Sequence, residues 1–102
     1  MIFRRMRFGP VIDRQLDLFS RDHREVLFEV DMSLAAYNAA AREDAEELYG
    51  EYVDAVESGT ELLADVRDHY ATSVKDWERY VDEFNRAVKQ RWPEFGAEIE
   101  NR

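Results

Sequence analysis

The sequence predicts an all-α protein, in which one or two shorter helices fold back on a long first helix as a helical hairpin or small bundle. Apolar and small residues recur at steps of three and four from Ile12 onward, the spacing of one helix face. The 102 residues include only four Gly and two Pro. Because Pro10 and Pro93 lie near the ends, the middle of the chain lacks the turn residues that several strands need.

Length and composition limit the chain to one domain. A chain of 102 residues with 45% hydrophobic content closes one small core. We assign residues 1–10 to a basic N-terminal arm and residues 11–102 to a single α-helical domain. No cysteine is present, which favours a reducing cytoplasm. No apolar run approaches the roughly 20 residues of a membrane span, so we expect a cytoplasmic protein that has no membrane-spanning helix.

The first helix is predicted over residues 12–57. One face of this helix is expected to be covered, and only His23 on it is polar. That face consists of positions 12, 16, 19, 23, 27, 30, 34, 37, 41, 45, 48, 52 and 56. Five alanines between residues 35 and 41 give the middle of this helix small side chains, so another helix can approach it closely there. Gly50 lowers the stability of the helix by about 1 kcal/mol relative to Ala. In an alternative arrangement, Ser20 caps a new helix that starts at Arg21, and residues 11–19 fold back onto the core.

The first turn is predicted at Ser58, Gly59 and Thr60. Ser58 and Glu61 have the spacing of a capping box, in which each side chain satisfies a free amide at a helix start. A second helix over residues 60–71 follows.

A third helix is predicted over residues 74–91, with Thr72 and Ser73 as candidate N-caps. Since the apolar residues keep their spacing of three and four without interruption, the second and third helices can also form one continuous helix. Pro93 either ends this helix or opens a short tail helix.

The charge of the chain is acidic and uneven. The net charge is −9, and the first ten residues carry three Arg and no acid, which leaves −12 for the rest. Such a body is not expected to bind nucleic acid. Between Arg42 and Arg67 the chain has no base and nine acids: Glu43, Asp44, Glu46, Glu47, Glu51, Asp54, Glu57, Glu61 and Asp65. This acidic block is either a solvated helix face or a docking surface for a basic partner.

The opening segment, residues 2–8, alternates basic and apolar side chains before Gly9 and Pro10. Three interpretations remain open. The segment is a flexible tail, with Met6 as an alternative start; an arm that docks onto a partner; or a contact for nucleic acid or anionic lipid.

The sequence predicts no catalytic residue, no cofactor-binding residue and no cofactor. The best-placed candidate metal ligands are Glu61, Asp65 and His69, spaced four residues apart on one helix face. With two histidines and no cysteine the ligand count falls short, so no metal is expected. No serine has the glycine-framed turn of a nucleophile elbow, and no glycine pattern fits a phosphate loop.

The function favoured by these patterns is that of a non-catalytic helical interaction or scaffold protein that self-associates. A first helix of about 45 residues would span about 68 Å, whereas about 31 residues in the returning helices span only about 46 Å. Ile12, Leu16 and Phe19 would then lie uncovered until a second chain packs on them as a homodimer or higher oligomer. A further protein partner is possible. The alternative is a small helical enzyme, or a metal- or small-molecule-binding bundle with a site between subunits.

Overall fold

The computed structural model describes residues 7–102, and within this range the chain forms helices and no strand. The predicted fold class, an all-α small bundle, is confirmed. The elements are α1 (Gly9–Asp22), α2 (Arg24–Asn38), α3 (Ala45–Ala71), α4 (Trp77–Arg91), a 3-10 turn (Pro93–Phe95) and α5 (Gly96–Glu100). None of the helices in this range is both long enough and apolar enough to cross a bilayer.

The hydrophobic core lies between α1, α4, the second half of α3 and the C-terminal turns. Its buried members are Ile12, Leu16, Phe19, Val30, Val56, Leu63, Ala64, Tyr80, Phe84, Val88, Phe95 and Ile99. Only Val30 comes from α2, which packs mainly along α3. The core is therefore gathered at one end of the α2–α3 pair.

The predicted first helix over residues 12–57 is wrong, and its first break is at His23. The backbone N–H of His23 closes α1 by donating to the Phe19 carbonyl at 2.8 Å, and the His23 carbonyl accepts from Val26 and Leu27 as α2 begins. Ser20 caps nothing, because its hydroxyl donates back to the Leu16 carbonyl.

The break lets α1 fold back onto α4, as in the alternative arrangement, but three residues later than Ser20. Burying Ile12, Leu16 and Phe19 is worth about 1.5–3 kcal/mol each, more than the few helical hydrogen bonds lost at about 0.5–1.5 kcal/mol each. The apolar residues at the N-terminal end of the predicted first helix are thus covered within one chain. A second chain is therefore not needed to cover Ile12, Leu16 and Phe19.

The second break reverses the chain at residues 39–44. The predicted turn at residues 58–60 is wrong: Ser58, Gly59 and Thr60 lie inside α3, and the Thr60 hydroxyl donates to the Val56 carbonyl at 2.7 Å. The alanines at residues 39–41 have small side chains that bury little apolar surface. A reversal of the chain at this point therefore removes little apolar surface from the core. Gly59 is needed within the helix, because a Cβ at this position would lie 2.7 Å from the Phe95 ring.

The predicted break before the third helix is confirmed, but its caps are not. The hydroxyls of Thr72 and Ser73 donate to the carbonyls of His69 and Tyr70, so both side chains bond to the C-terminal end of α3. The helix α4 begins at Trp77 without a side-chain cap. The expected end is confirmed: α4 stops at Arg91 and Pro93 opens the 3-10 turn that leads into α5.

The α2–α3 pair projects from the core as a hairpin arm, which we define as residues 31–55. No residue in this range is buried. The rings of Tyr37 and Tyr49 contact each other across the hairpin, with centroids 5.2 Å apart. The elongated extents of 50 × 33 × 23 Å reflect this projection.

Candidate interaction surface

The candidate metal ligands lie on the outer face of α3. Glu61, Asp65 and His69 are all exposed, and within residues 7–102 no three His, Cys, Asp or Glu side chains are grouped closely enough to hold a metal ion. The structure therefore brings these three residues onto one face without forming a cage around an ion.

Three buried polar side chains are fully occupied by structural contacts. The Tyr80 hydroxyl donates to Oε1 of Gln15 at 2.7 Å, and burial raises the pKa of Tyr80 to about 12, so the hydroxyl stays protonated. The Glu83 carboxylate accepts from the backbone N–H groups of Phe8 and Arg7 and from Nε of Arg79. These contacts join α4 to α1, to the two residues that precede α1, or to its own next turn.

Arg67 is the third such group, and sequence reasoning gave it no role. Its guanidinium donates to Asp68, to Oδ1 of Asn85, and to the carbonyls of Ile99 and Arg102. Among residues 7–102 its only ion pair is with the exposed Asp68, at 2.7 Å. Within the described residues no buried side-chain nitrogen or oxygen lacks a hydrogen-bond partner. None of these groups is therefore left over for chemistry.

The apolar surface that lacks a partner within the described chain is the outer face of α2. Successive helical residues are about 100° apart, so Phe28 and the buried Val30 point to nearly opposite sides. Phe28 is 63% exposed and Met32 is 54% exposed. Ala35 and Ala39 continue the same line at steps of three and four, and both are exposed. We call Phe28, Met32, Ala35 and Ala39 the outer stripe.

Sequence reasoning missed the outer stripe because it followed the stronger row at residues 27, 30, 34 and 37. The signal was present in the sequence: α2 carries apolar residues on two opposite faces. A helix that is apolar on two faces needs two packing partners, and α3 covers only one of them.

The acidic block covers the outer side of α3 and the turn before it. All nine of its acids are exposed, and none belongs to an ion pair within residues 7–102. Glu51 and Asp54 join Glu29 of α2 around an open groove of about 390 Å³, which Val26 and Ala55 also line. The prediction of a solvated helix face is consistent with this placement.

Further grooves lie on the surface of residues 7–102, and one of them is at the break between α1 and α2, where Asp22 and His23 line it. Beside the arm, Tyr49, Tyr52 and Glu94 line a groove of about 170 Å³. Burial, together with the nearby Asp31, raises the pKa of Glu94. At the other end of the molecule Trp77, which is 52% exposed, borders a groove of about 430 Å³. None of these three grooves brings together an acid, a base and a nucleophile in the arrangement that catalysis needs.

Comparisons with protein-family models, with curated proteins and with solved structures find no match to this chain.

Proposed function

We propose that this protein is a non-catalytic helical interaction or scaffold protein that self-associates, and that the outer face of α2, which leads into the hairpin arm, is its binding element. The observation that carries the proposal is the outer stripe of α2. Two large apolar side chains, Phe28 and Met32, stand more than half exposed on a helix whose other face is already packed. Contiguous apolar surface of this kind is typical of a protein-binding site.

The shape of the arm supports the same function. An arm in which no residue from 31 to 55 is buried contributes little to the core, yet it is held in a regular hairpin by α2–α3 packing. A projecting hairpin presents the outer faces of two helices to a partner. The absence of cysteine supports a cytoplasmic setting for this interaction.

The alternative function, an enzyme or ligand-binding bundle, needs an acid turned toward a cavity with His69. Asp65 and His69 are exposed on α3, Glu25 is exposed on α2, and Glu29 borders an open groove without a histidine. These positions give the alternative no specific support.

Light scattering and sedimentation over micromolar to millimolar concentrations test self-association. The chain mass is 12.1 kDa, so we expect the measured mass to rise with concentration toward twice that value. Met32→Glu should lower the mass, whereas Trp77→Glu, a control at an equally exposed apolar residue outside the arm, should not. A wild-type chain that stays at the monomer mass throughout would show that self-association is wrong.

A further inference from the structure

The bend between α1 and α2 is not caused by the residues that form it. The chain has no glycine and no proline between Pro10 and Gly50, so neither helix-breaking residue type lies near His23. At the bend, Val26 donates to the His23 carbonyl three residues back, and no side chain caps the start of α2. A straight helix through His23 would restore the regular four-residue hydrogen bonds of this stretch. The packing of α1 therefore holds the bend in place.

The covered face of the two helices also continues through the bend. Phe19, His23 and Leu27 follow one another at steps of four, so they would lie on one face of a continuous helix. The rings of Phe19 and His23 are in contact, with centroids 4.8 Å apart, and residues four apart are neighbours in a straight helix as well. Straightening the bend therefore keeps this contact and moves residues 9–22 away from their own α4.

The partners of α1 lie on a distant part of the chain. Within residues 7–102, every side-chain hydrogen bond that joins residues 7–22 to a later helix ends on α4 or on the residue before it. These bonds join Arg7 and Phe8 to Glu83, Arg7 to Asp76, Tyr80 to Gln15 and Arg91 to Asp17. The buried apolar residues of α1 belong to the same core cluster as those of α4. None of these contacts requires that α1 and α4 belong to one molecule.

We propose that two copies of this chain exchange α1. In each copy α1 and α2 straighten into one helix over residues 9–38, about 45 Å long at 1.5 Å per residue, and α1 packs on α4 of the other copy. The exchanged dimer buries the same apolar residues as the monomer and regains the helical bonds lost at His23. The arrangement is two-fold and closed, since each copy gives one α1 and receives one. Because the exchange does not use the outer stripe, it goes beyond the proposed function and is tested separately.

The exchange is slow, because α1 must leave its own α4 before it reaches the second copy. This step exposes Ile12, Leu16 and Phe19, which are 0%, 1% and 2% exposed in the folded chain. Association through the outer stripe needs no such step, since its large side chains are already exposed. Exchanged dimers should therefore form during refolding from urea at high protein concentration and persist after dilution, whereas dimers in contact through the outer stripe should separate quickly.

Crosslinking between chains tests the exchange directly, because the chain contains no cysteine of its own. The Asp17 carboxylate accepts from the Arg91 guanidinium at 2.8 Å, across the contact of α1 with α4. We would refold Asp17→Cys and Arg91→Cys chains together at high concentration and add a short bis-maleimide crosslinker. Exchange predicts a mixed covalent dimer of twice the 12.1 kDa chain mass. The control pair, Asp17→Cys with Glu78→Cys, should give little product, because Glu78 lies about 20 Å along α4 from Arg91.

The helix propensity of residue 23 gives an independent measurement. His23→Ala and His23→Gly both remove the imidazole, but glycine is less favourable within a helix, and the exchanged dimer contains this residue in two helices. The dimerisation constant of the alanine variant should therefore exceed that of the glycine variant about ten- to thirtyfold. Inserting Gly-Ser-Gly-Ser between Asp22 and His23 should abolish the mixed product, because a longer connector lets α1 return to its own α4 without a sharp bend.

The outcomes separate the exchange from the proposed function. An absent mixed product, or equal dimerisation of His23→Ala and His23→Gly, would overturn the exchange and leave the outer stripe as the binding surface. Adding Met32→Glu to both cysteine variants should leave the yield of mixed product unchanged, and a loss of product would assign the dimer to the outer stripe instead. A wild-type chain that never dimerises, even after refolding at high concentration, would overturn both.

Discussion

The backbone N–H of Phe8 donates a 2.8 Å hydrogen bond to the carboxylate of Glu83, 75 residues further along the chain. The Glu83 side chain is only 7% exposed and also accepts from Nε of Arg79 at 2.9 Å. Since the Phe8 ring packs edge-on against Tyr80, one turn of α4 fixes the start of α1 by both polar and aromatic contacts.

Replacing Glu83 by Gln should destabilise the fold by about 1–3 kcal/mol, because charge-assisted hydrogen bonds to a buried carboxylate are lost. Urea unfolding at neutral pH measures this change. Glu78→Gln, at an exposed position of the same helix, is the matched control and should have little effect. Equal effects of the two substitutions would show that the Phe8 contact contributes nothing.

The same carboxylate predicts a pH dependence. Burial alone would raise the pKa of Glu83, but hydrogen bonds from Phe8, Arg79 and Arg7 outweigh it and hold the pKa below the ordinary value of 4.5. A carboxylate with a lowered folded-state pKa stabilises the fold above its unfolded-state pKa, and this contribution is lost as the pH falls through the folded-state value. The stability gap between wild type and Glu83→Gln should therefore be constant near neutrality and shrink below about pH 4.5. A gap that widens in acid would contradict this assignment.

Two glycines of α3 should respond to alanine in opposite directions. At Gly50 a Cβ would meet no atom within 4 Å, so Gly50→Ala should stabilise the chain by about 0.5–1 kcal/mol. At Gly59 a Cβ would lie 2.7 Å and 2.8 Å from two ring carbons of Phe95, so Gly59→Ala should destabilise it by about 1–3 kcal/mol. Thermal unfolding of the two variants measures both signs, and two stabilising substitutions would mean that α3 and Phe95 are not in close contact.

Arg67 should be among the least replaceable polar residues of the fold. Arg67→Met removes the donors to Asn85, Ile99 and Arg102 and leaves buried acceptors unsatisfied, at a cost of about 3 kcal/mol or more. Arg67→Lys should recover only part of this stability, because one ammonium group cannot reproduce the planar arrangement of N–H donors that a guanidinium provides. The control, Arg86→Lys, alters an exposed pair with Asp82 and should change stability by less than about 0.5 kcal/mol. Urea unfolding, with amide exchange of α5 as a local readout, decides between these outcomes.

Added salt should stabilise the protein, because the nine exposed acids of the acidic block repel one another without a paired base within residues 7–102. Raising NaCl from about 10 mM to about 150 mM shortens the screening length from roughly 30 Å to roughly 8 Å, so the melting temperature should rise. Neutralising Glu47, Glu51 and Asp54 to their amides should flatten this dependence. The same change at Asp13, Glu78 and Glu100 should flatten it less. A melting temperature that falls with salt would indicate that the block is engaged by basic groups.

The sequence by itself determined the helical class, the single core and the last third of the chain. In α4 the stripe through Tyr80, Phe84 and Val88 is bounded by a break before Trp77 and by Pro93, so local signals and tertiary packing agree. The three candidate metal ligands also lie on one exposed face, as their spacing of four requires.

Only the tertiary structure decided where the long apolar stripe of the first half is interrupted. Steps of three and four from Ile12 to Val56 fit one straight helix as well as three shorter ones, because local spacing carries no information about what lies opposite. The break at His23 follows from the burial of Leu16 and Phe19, far along the chain from their partners in α4. Which of the two apolar faces of α2 is covered within residues 7–102 also depends on where the neighbouring helices lie, and the local spacing of residues carries no information about that.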